Sequence, residues 1–188
     1  MDATSEITLP MCELAHMSTP VPDPRWFTFR GQEYILRAIG PADPRRIAEA
    51  EGVTECAKDF PAQGWVVGLA VAKTEAPDDD LGFYAVAHGA APERLDDTLA
   101  FVAPRARGLH LSHLLIYGVY LELLALDRPF VLCEMIDHPR LRLHARCGFA
   151  PPVRPLRDGK VELGRFDLHA VLCRIESEDD IREILPSR

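Results

Sequence analysis

At 188 residues, 47% of them apolar, the chain is long enough to bury a core without disulfides or metals to staple it, and it fits one domain with ragged ends. Its 29 acidic residues against 21 basic ones give a formal net charge of -8, which argues against nucleic-acid binding, where phosphate neutralisation needs clustered Lys and Arg; an acidic balance suits a cationic or amine partner. The five cysteines (Cys12, Cys56, Cys133, Cys147 and Cys173) are odd in number and include no C-x-x-C pair, so neither a disulfide framework nor a zinc knuckle is indicated, and reduced thiols in a cytoplasmic setting are expected.

From the N-terminus, Asp2 and Glu6 stand where a secretory signal would carry positive charge, and no apolar stretch approaches a membrane span, so neither export nor membrane insertion is expected. Residues 1–30 are rich in Pro, Ser and Thr, with Pro20, Pro22 and Pro24 close together, and read as an extended arm with little regular structure. The main domain spans 31–175. Glu33–Ala38 reads as a strand, and Asp43-Pro44 opens a helix, with Asp43 at the cap and Pro44 where its missing N–H costs nothing. Trp65–Ala72 and Leu81–His88 are apolar runs separated by a turn at Asp78-Asp79-Asp80, an antiparallel hairpin. Thr98–Ala103 is a further strand, followed by a basic loop and by Ser112–Leu126, apolar almost all round as a helix packed on a sheet is. Phe130–Ile136 is β-rich, and a short helix is expected from Pro139 to Gly148. After a turn at Asp158-Gly159, Phe166–Ile175 is expected as a last strand, and residues 176–188 as a charged tail. No internal repeat is visible.

The loop Pro104-Arg105-Ala106-Arg107-Gly108-Leu109-His110 between a strand and a helix is the geometry that binds phosphates. The first N–H groups of a helix have no intrahelical partner, and its aligned peptide dipoles make that end electropositive. Arg107, with Arg105 nearby, adds formal charge; an ordinary βα turn with solvated arginines is the bland alternative.

Val102-Ala103-Pro104 followed by Arg107 through Ser112 resembles the acetyl-CoA-binding motif of the GNAT superfamily of N-acetyltransferases, a strand ending in V-x-P and then R/Q-x-x-G-x-G/A opening a helix. His110 takes the first glycine position and Ser112 the second. Asp137 to Phe149 resembles the same family's N-x-x-A-x-x-L-Y-x-K-x-G-F, with Leu143, Arg146, Gly148 and Phe149 in agreement, Asp137 in place of Asn and His144 in place of Tyr. Arg37-x-x-x-x-x-Asp43, within Ile35–Asp43, is similar to the family's opening block.

This resemblance, covering about 33–175, implies a mixed α/β (α+β) fold with a mostly antiparallel central sheet flanked by helices, splayed between the fourth and fifth strands. It implies direct transfer of an acetyl or related acyl group from acyl-CoA to the amine of a small molecule or peptide. Phe101, Val102, Arg107, Gly108, Leu109, His110, Leu111, Ser112 and Asp137 are the expected cofactor-binding residues, with a main-chain N–H near Phe101-Val102 stabilising the oxyanion. Asp96, Asp97 and Glu134 are candidates for the base; Asp96 and Asp97, as strand neighbours, point to opposite faces, so at most one of them faces the site. His144 is the candidate proton donor to the leaving thiolate, since imidazole titrates near neutrality.

His110 and His113 lie one helical turn apart, but two histidines without a placed third ligand make a poor metal site, and no metal is expected. Cys133 and Cys147, in apolar surroundings, read as small buried hydrophobes. Two other readings stay open: a GNAT-fold CoA-binding or interaction module without efficient chemistry, and an acyltransferase using a longer acyl chain or an acyl carrier protein. Edge strands and the N-terminal arm would permit a homodimer.

Overall fold

The structure, a computed structural model, describes residues 22–53, 65–89, 91, 93–127, 129–135 and 160–185. It opens with strands β1 (Arg25–Phe29) and β2 (Gln32–Ala38). The two-residue turn between them, Arg30-Gly31, holds φ of 50° and 75°, the left-handed pair that matches the twist of a tight hairpin. β1 lies inside the segment expected to lack regular structure. The prolines that suggested an arm all precede it, and from Arg25 onward Phe27 and Phe29 alternate inward to full burial.

Helix α1 (Asp43–Ala50) follows, its entry held by the Gly40 N–H donating to Asp43 Oδ2 at 2.8 Å. Strands β3 (Val67–Lys73) and β4 (Ala76–Ala87) form the expected hairpin, but it turns at Thr74-Glu75 rather than at the three aspartates. Asp78, Asp79 and Asp80 belong to β4, where the register against β3 shifts at Val71/Ala72 and Ala72/Lys73. Asp80 is nonetheless buried. Its carboxylate is bound by Arg37 from β2 and by Arg46 from α1 at 2.8 Å, and these partners offset the desolvation that makes aspartate rare inside strands.

Strands β5 (Arg94–Leu95) and β6 (Asp97–Val102), a 3-10 turn over Pro104–Ala106 and helix α2 (Leu111–Ala125) come next. Then come β7 (Val131–Met135), β8 (Lys160–Leu163), α3 (Arg165–Asp179) and β9 (Arg182–Ile184). Helix α3 replaces the strand expected at Phe166–Ile175 and absorbs the start of the charged tail. Its buried residues, Leu168, Val171, Leu172 and Ile175, follow i, i+3, i+4, i+7, the spacing of one helix face, and Asp167 Oδ2 accepts the Gly164 N–H at 2.8 Å across the first turn. The short helix expected at 139–148 lies outside the described residues.

One sheet runs β6-β4-β3-β2-β1-β9, antiparallel throughout, and a second runs β5-β7-β8, with β5 and β7 parallel. The fold is thus mixed α/β, a mostly antiparallel sheet with helices. Helix α2 packs on β3 and β4 and against α3, burying residues around most of its circumference; each fully buried Leu or Ile there is worth about 1.5–3 kcal/mol over exposure. Arg25 ties β1 to β9 and α2, donating to Glu183 at 2.8 and 2.6 Å and to Glu122 at 3.1 Å. No helix among the described residues is long and apolar enough to cross a membrane.

Candidate functional site

Residues 94–102 form one extended run that changes partner at Asp96. β5 pairs with β7 at Arg94↔Val131 and Leu95↔Leu132, whereas β6 pairs with β4 from Ala87↔Asp97 to Gly82↔Val102. Among the described residues no ladder joins β6 to β7, so the two strands that meet at Leu95 lie in different sheets beyond it. Among the described residues β6 is therefore an edge, with a row of backbone groups outside the ladder.

Asp96 pins this exchange. Arg94 Nε lies 3.1 Å from both its carboxylate oxygens, and the buried Cys133 thiol of β7 lies beside it. A Cβ added at Gly89 would fall 2.5 Å from Asp96 Oδ2, so glycine lets the backbone pass closely over the carboxylate. Burial, and then the Asp96 carboxylate, push the Cys133 thiol up to about 12, which keeps it protonated at neutral pH and removes it as a nucleophile. Asp96 thus engages groups from its own strand and from β7. Asp97 lies on β6 and Glu134 on β7; the side chains of both lie outside the described residues, as do His144 and Asp137 entirely.

The loop after β6 brings the other predicted residues together. Phe101 is buried and stacks on Phe83 (centroids 5.8 Å apart, planes at 26°), while Val102 faces Gly82. Ala103 N–H donates to Leu81 O at 2.8 Å and carries the chain into the 3-10 turn. Arg107 is extended and exposed, Gly108 has φ 88°, and Leu109 is 42% exposed. His110, the N-cap of α2, has φ 58°. That left-handed conformation suits glycine best and is tolerated by His better than by most side chains. Leu111 is buried in the core and Ser112 exposed. Among the described residues Arg107 makes no ion pair, unlike Arg105. Arg105 Nε donates to Glu51 at 2.6 Å, and its two terminal nitrogens donate to Asp79 at 2.7 and 2.6 Å. The formal charge that Arg105 was expected to add to the loop is therefore already spent within the fold.

Ser112, Leu115 and Ile116 of α2, Phe83 and Tyr84 of β4, and Ala100 and Val102 of β6 line a small apolar pocket beside this loop. Phe83 and Tyr84 are fully buried and form the floor of this pocket.

His113 Nδ1 donates to Asp179 Oδ2 at 2.5 Å, and its ring meets that of His110 edge-on at 5.5 Å. Asp179, the last residue of α3, also accepts from Arg30, at 2.8 Å from Nε. Burial pushes its carboxyl up, but the bonds from His113 and Arg30 outweigh that and hold it below the usual carboxylate range. Since its folded pKa lies below the unfolded value of about 3.9, its contribution is present above that value and lost as pH falls through the folded pKa. Asp179→Asn should lower stability at pH 7 by about 2 kcal/mol and flatten its decline below about pH 4; denaturant titrations at several pH values would show this. Sequence reasoning missed this pair because 66 residues separate its members. Among the described residues no group of three His, Cys, Asp or Glu side chains is placed to hold a metal ion.

Compared with models of known protein families and with characterised protein sequences, the chain matches none.

Proposed function

We propose that this chain is an acyl-CoA-dependent acyltransferase of GNAT type, moving an acetyl or related acyl group to an amine of a small molecule or peptide. The observation that carries the reading is the run from β6 into α2. An edge strand that has parted from β7 passes through a turn with left-handed Gly108 and His110 into the first turn of a buried helix, with an uncommitted arginine at the bend.

The residues present fit an anionic donor. A Cβ at Gly108 would meet nothing within 4 Å, so that side of the loop is open. The N–H groups of Leu111 and Ser112 open a 15-residue helix and have no intrahelical acceptor. Arg107, Gly108, Leu109, His110, Leu111 and Ser112 would hold the diphosphate, and the free edge of β6 at Phe101 and Val102 would pair with the pantetheine arm as an added strand does. Acyl-CoA, when bound, supplies an activated thioester carbonyl. The chain's own work is to orient that group along the strand edge, to aim a main-chain N–H of β6 at the oxygen where negative charge grows, and to take a proton from the acceptor amine. Asp97 and Glu134 are the bases left for that proton once Asp96 is committed to Arg94 and Cys133, and His144 is the donor to the departing thiolate.

Calorimetric titration of acetyl-CoA and of CoA tests this without knowledge of the acceptor. Wild-type protein should bind in the micromolar range and Arg107→Ala at least about tenfold more weakly. A wild type that binds neither ligand overturns the reading.

A second reading, a CoA-binding module without efficient chemistry, is favoured by the engagement of Asp96 in a structural pin. Turnover with any amine in a broad panel removes it, and binding without turnover supports it.

A further inference from the structure

We infer that Arg105 is a positioning residue for the donor loop, one that never touches the donor itself; the role rests on the acyl-CoA reading above. The loop is held at its far end by the His110 ring against that of His113, but Arg107, Gly108 and Leu109 have little of their own to hold them. Residues 107–110 are all exposed, and two of them, Gly108 and His110, hold left-handed φ. Its internal bonds, Arg107 N–H to Pro104 O and Leu109 N–H to Ala106 O, are both long at 3.3 Å, and no side chain caps the start of α2. A binding site made of main-chain N–H groups works only if they are already in place when the ligand arrives.

Arg105 supplies the anchor at the near end, in the 3-10 turn. Its guanidinium makes four hydrogen bonds: Nε to Glu51 Oε1 at 2.6 Å, a two-pronged pair to Asp79 at 2.7 and 2.6 Å, and Nη2 to the Asp80 carbonyl at 3.2 Å. The acceptors are rigidly mounted. Glu51 closes α1, Asp79 and Asp80 lie on β4, and the Asp80 carboxylate is gripped in turn by Arg37 and Arg46. The planar fork fixes the direction of the 3-10 turn as well as its distance, which a lysine in the same place would not do. With the turn fixed at Arg105, Ala106 carries Arg107 and Gly108 out at a set angle, so the loop inherits the position of the sheet and of α1.

The alternative is that Arg105 swings from its carboxylates to bind phosphate directly, and the two roles differ in sign. If Arg105 positions the loop, Arg105→Ala raises the Kd for CoA about tenfold, Arg105→Lys raises it nearly as much, and Glu51→Gln and Asp79→Asn each raise it a few-fold, since each loosens the clamp. If Arg105 binds phosphate, Glu51→Gln and Asp79→Asn lower the Kd, because they free the arginine and remove negative charge near an anion, and that result overturns the inference. Hydrogen exchange without ligand gives an independent readout: the N–H groups of 106–110 should exchange faster in Arg105→Ala, while those of β3 stay protected. Unchanged exchange together with unchanged Kd also overturns it. Wild-type protein that binds no CoA removes the donor reading and with it this role toward the donor. Faster loop exchange in the variant would still show the clamp at work, so the two failures are told apart.

Discussion

Phe83→Ala should lower the free energy of unfolding by about 3–5 kcal/mol. Phe83 is fully buried on β4, paired with Ala70 of β3 on one side and Phe101 of β6 on the other, and its ring stacks on that of Phe101. Truncation removes the transfer energy of the ring and the stacking contact, and it leaves a void that Ala70 has no bulk to fill. Phe83→Leu keeps most of the buried surface and should cost no more than about 1.5 kcal/mol. Guanidinium unfolding of the three proteins would measure both differences. A loss under about 1 kcal/mol for the alanine variant would mean that β4 and β6 close over the gap, so that the edge on which the proposed donor lies is soft.

Gly82→Ala should be nearly as damaging, by about 3 kcal/mol, although it adds a single methyl group. A Cβ there would lie 2.5 Å from the Phe101 carbonyl oxygen and 3.1 Å from Val102 Cα, both backbone atoms of β6. Backbone in a ladder cannot turn aside as a side chain can, so β6 itself has to move. Gly118→Ala is the control. Its Cβ would meet the Leu36 Cδ1 and Leu69 Cδ1 methyls at 2.3 and 3.0 Å, the far ends of side chains that can rotate, and alanine gains about 1 kcal/mol of helix propensity over glycine. Thermal unfolding should rank Gly82→Ala well below Gly118→Ala. If Gly82→Ala proves the milder, the close approach of β4 and β6 is not rigid.

The comparison of these two glycines shows what was legible in the residues and what was not. Gly118 sits in an apolar helical stretch and Gly82 in an apolar strand, and in each case the local pattern gives the element correctly while the reason for glycine lies in another segment. The same holds for Asp80. Three consecutive aspartates read as a turn, and only Arg37 and Arg46, more than 30 residues away, make a buried strand position tolerable. The helix at Phe166–Ile175 differs in kind, since the spacing of Leu168, Val171, Leu172 and Ile175 is a local helical signal, and the β-forming residues around it compete with that signal in the sequence. Of the candidate site, the Arg107–Ser112 loop was visible because a basic turn entering an apolar helix is a local feature. The employment of Arg105 by Glu51 and Asp79, and of Asp96 by Arg94 and Cys133, was not.

The sequence by itself determined the elements whose signal is local: the hairpin of β3 and β4, the strand-loop-helix unit around Arg107, and the all-round apolar character of α2. These follow from hydrophobic period and turn chemistry within a dozen residues. Only the tertiary structure decided which partner each strand takes, so that the run 94–102 leaves β7 for β4 at Asp96, and which charges remain available. Pairing of strands and of ions depends on groups far apart in the chain, and nothing in the residues around Arg105 distinguishes an arginine clamped by two carboxylates from one that waits for a ligand.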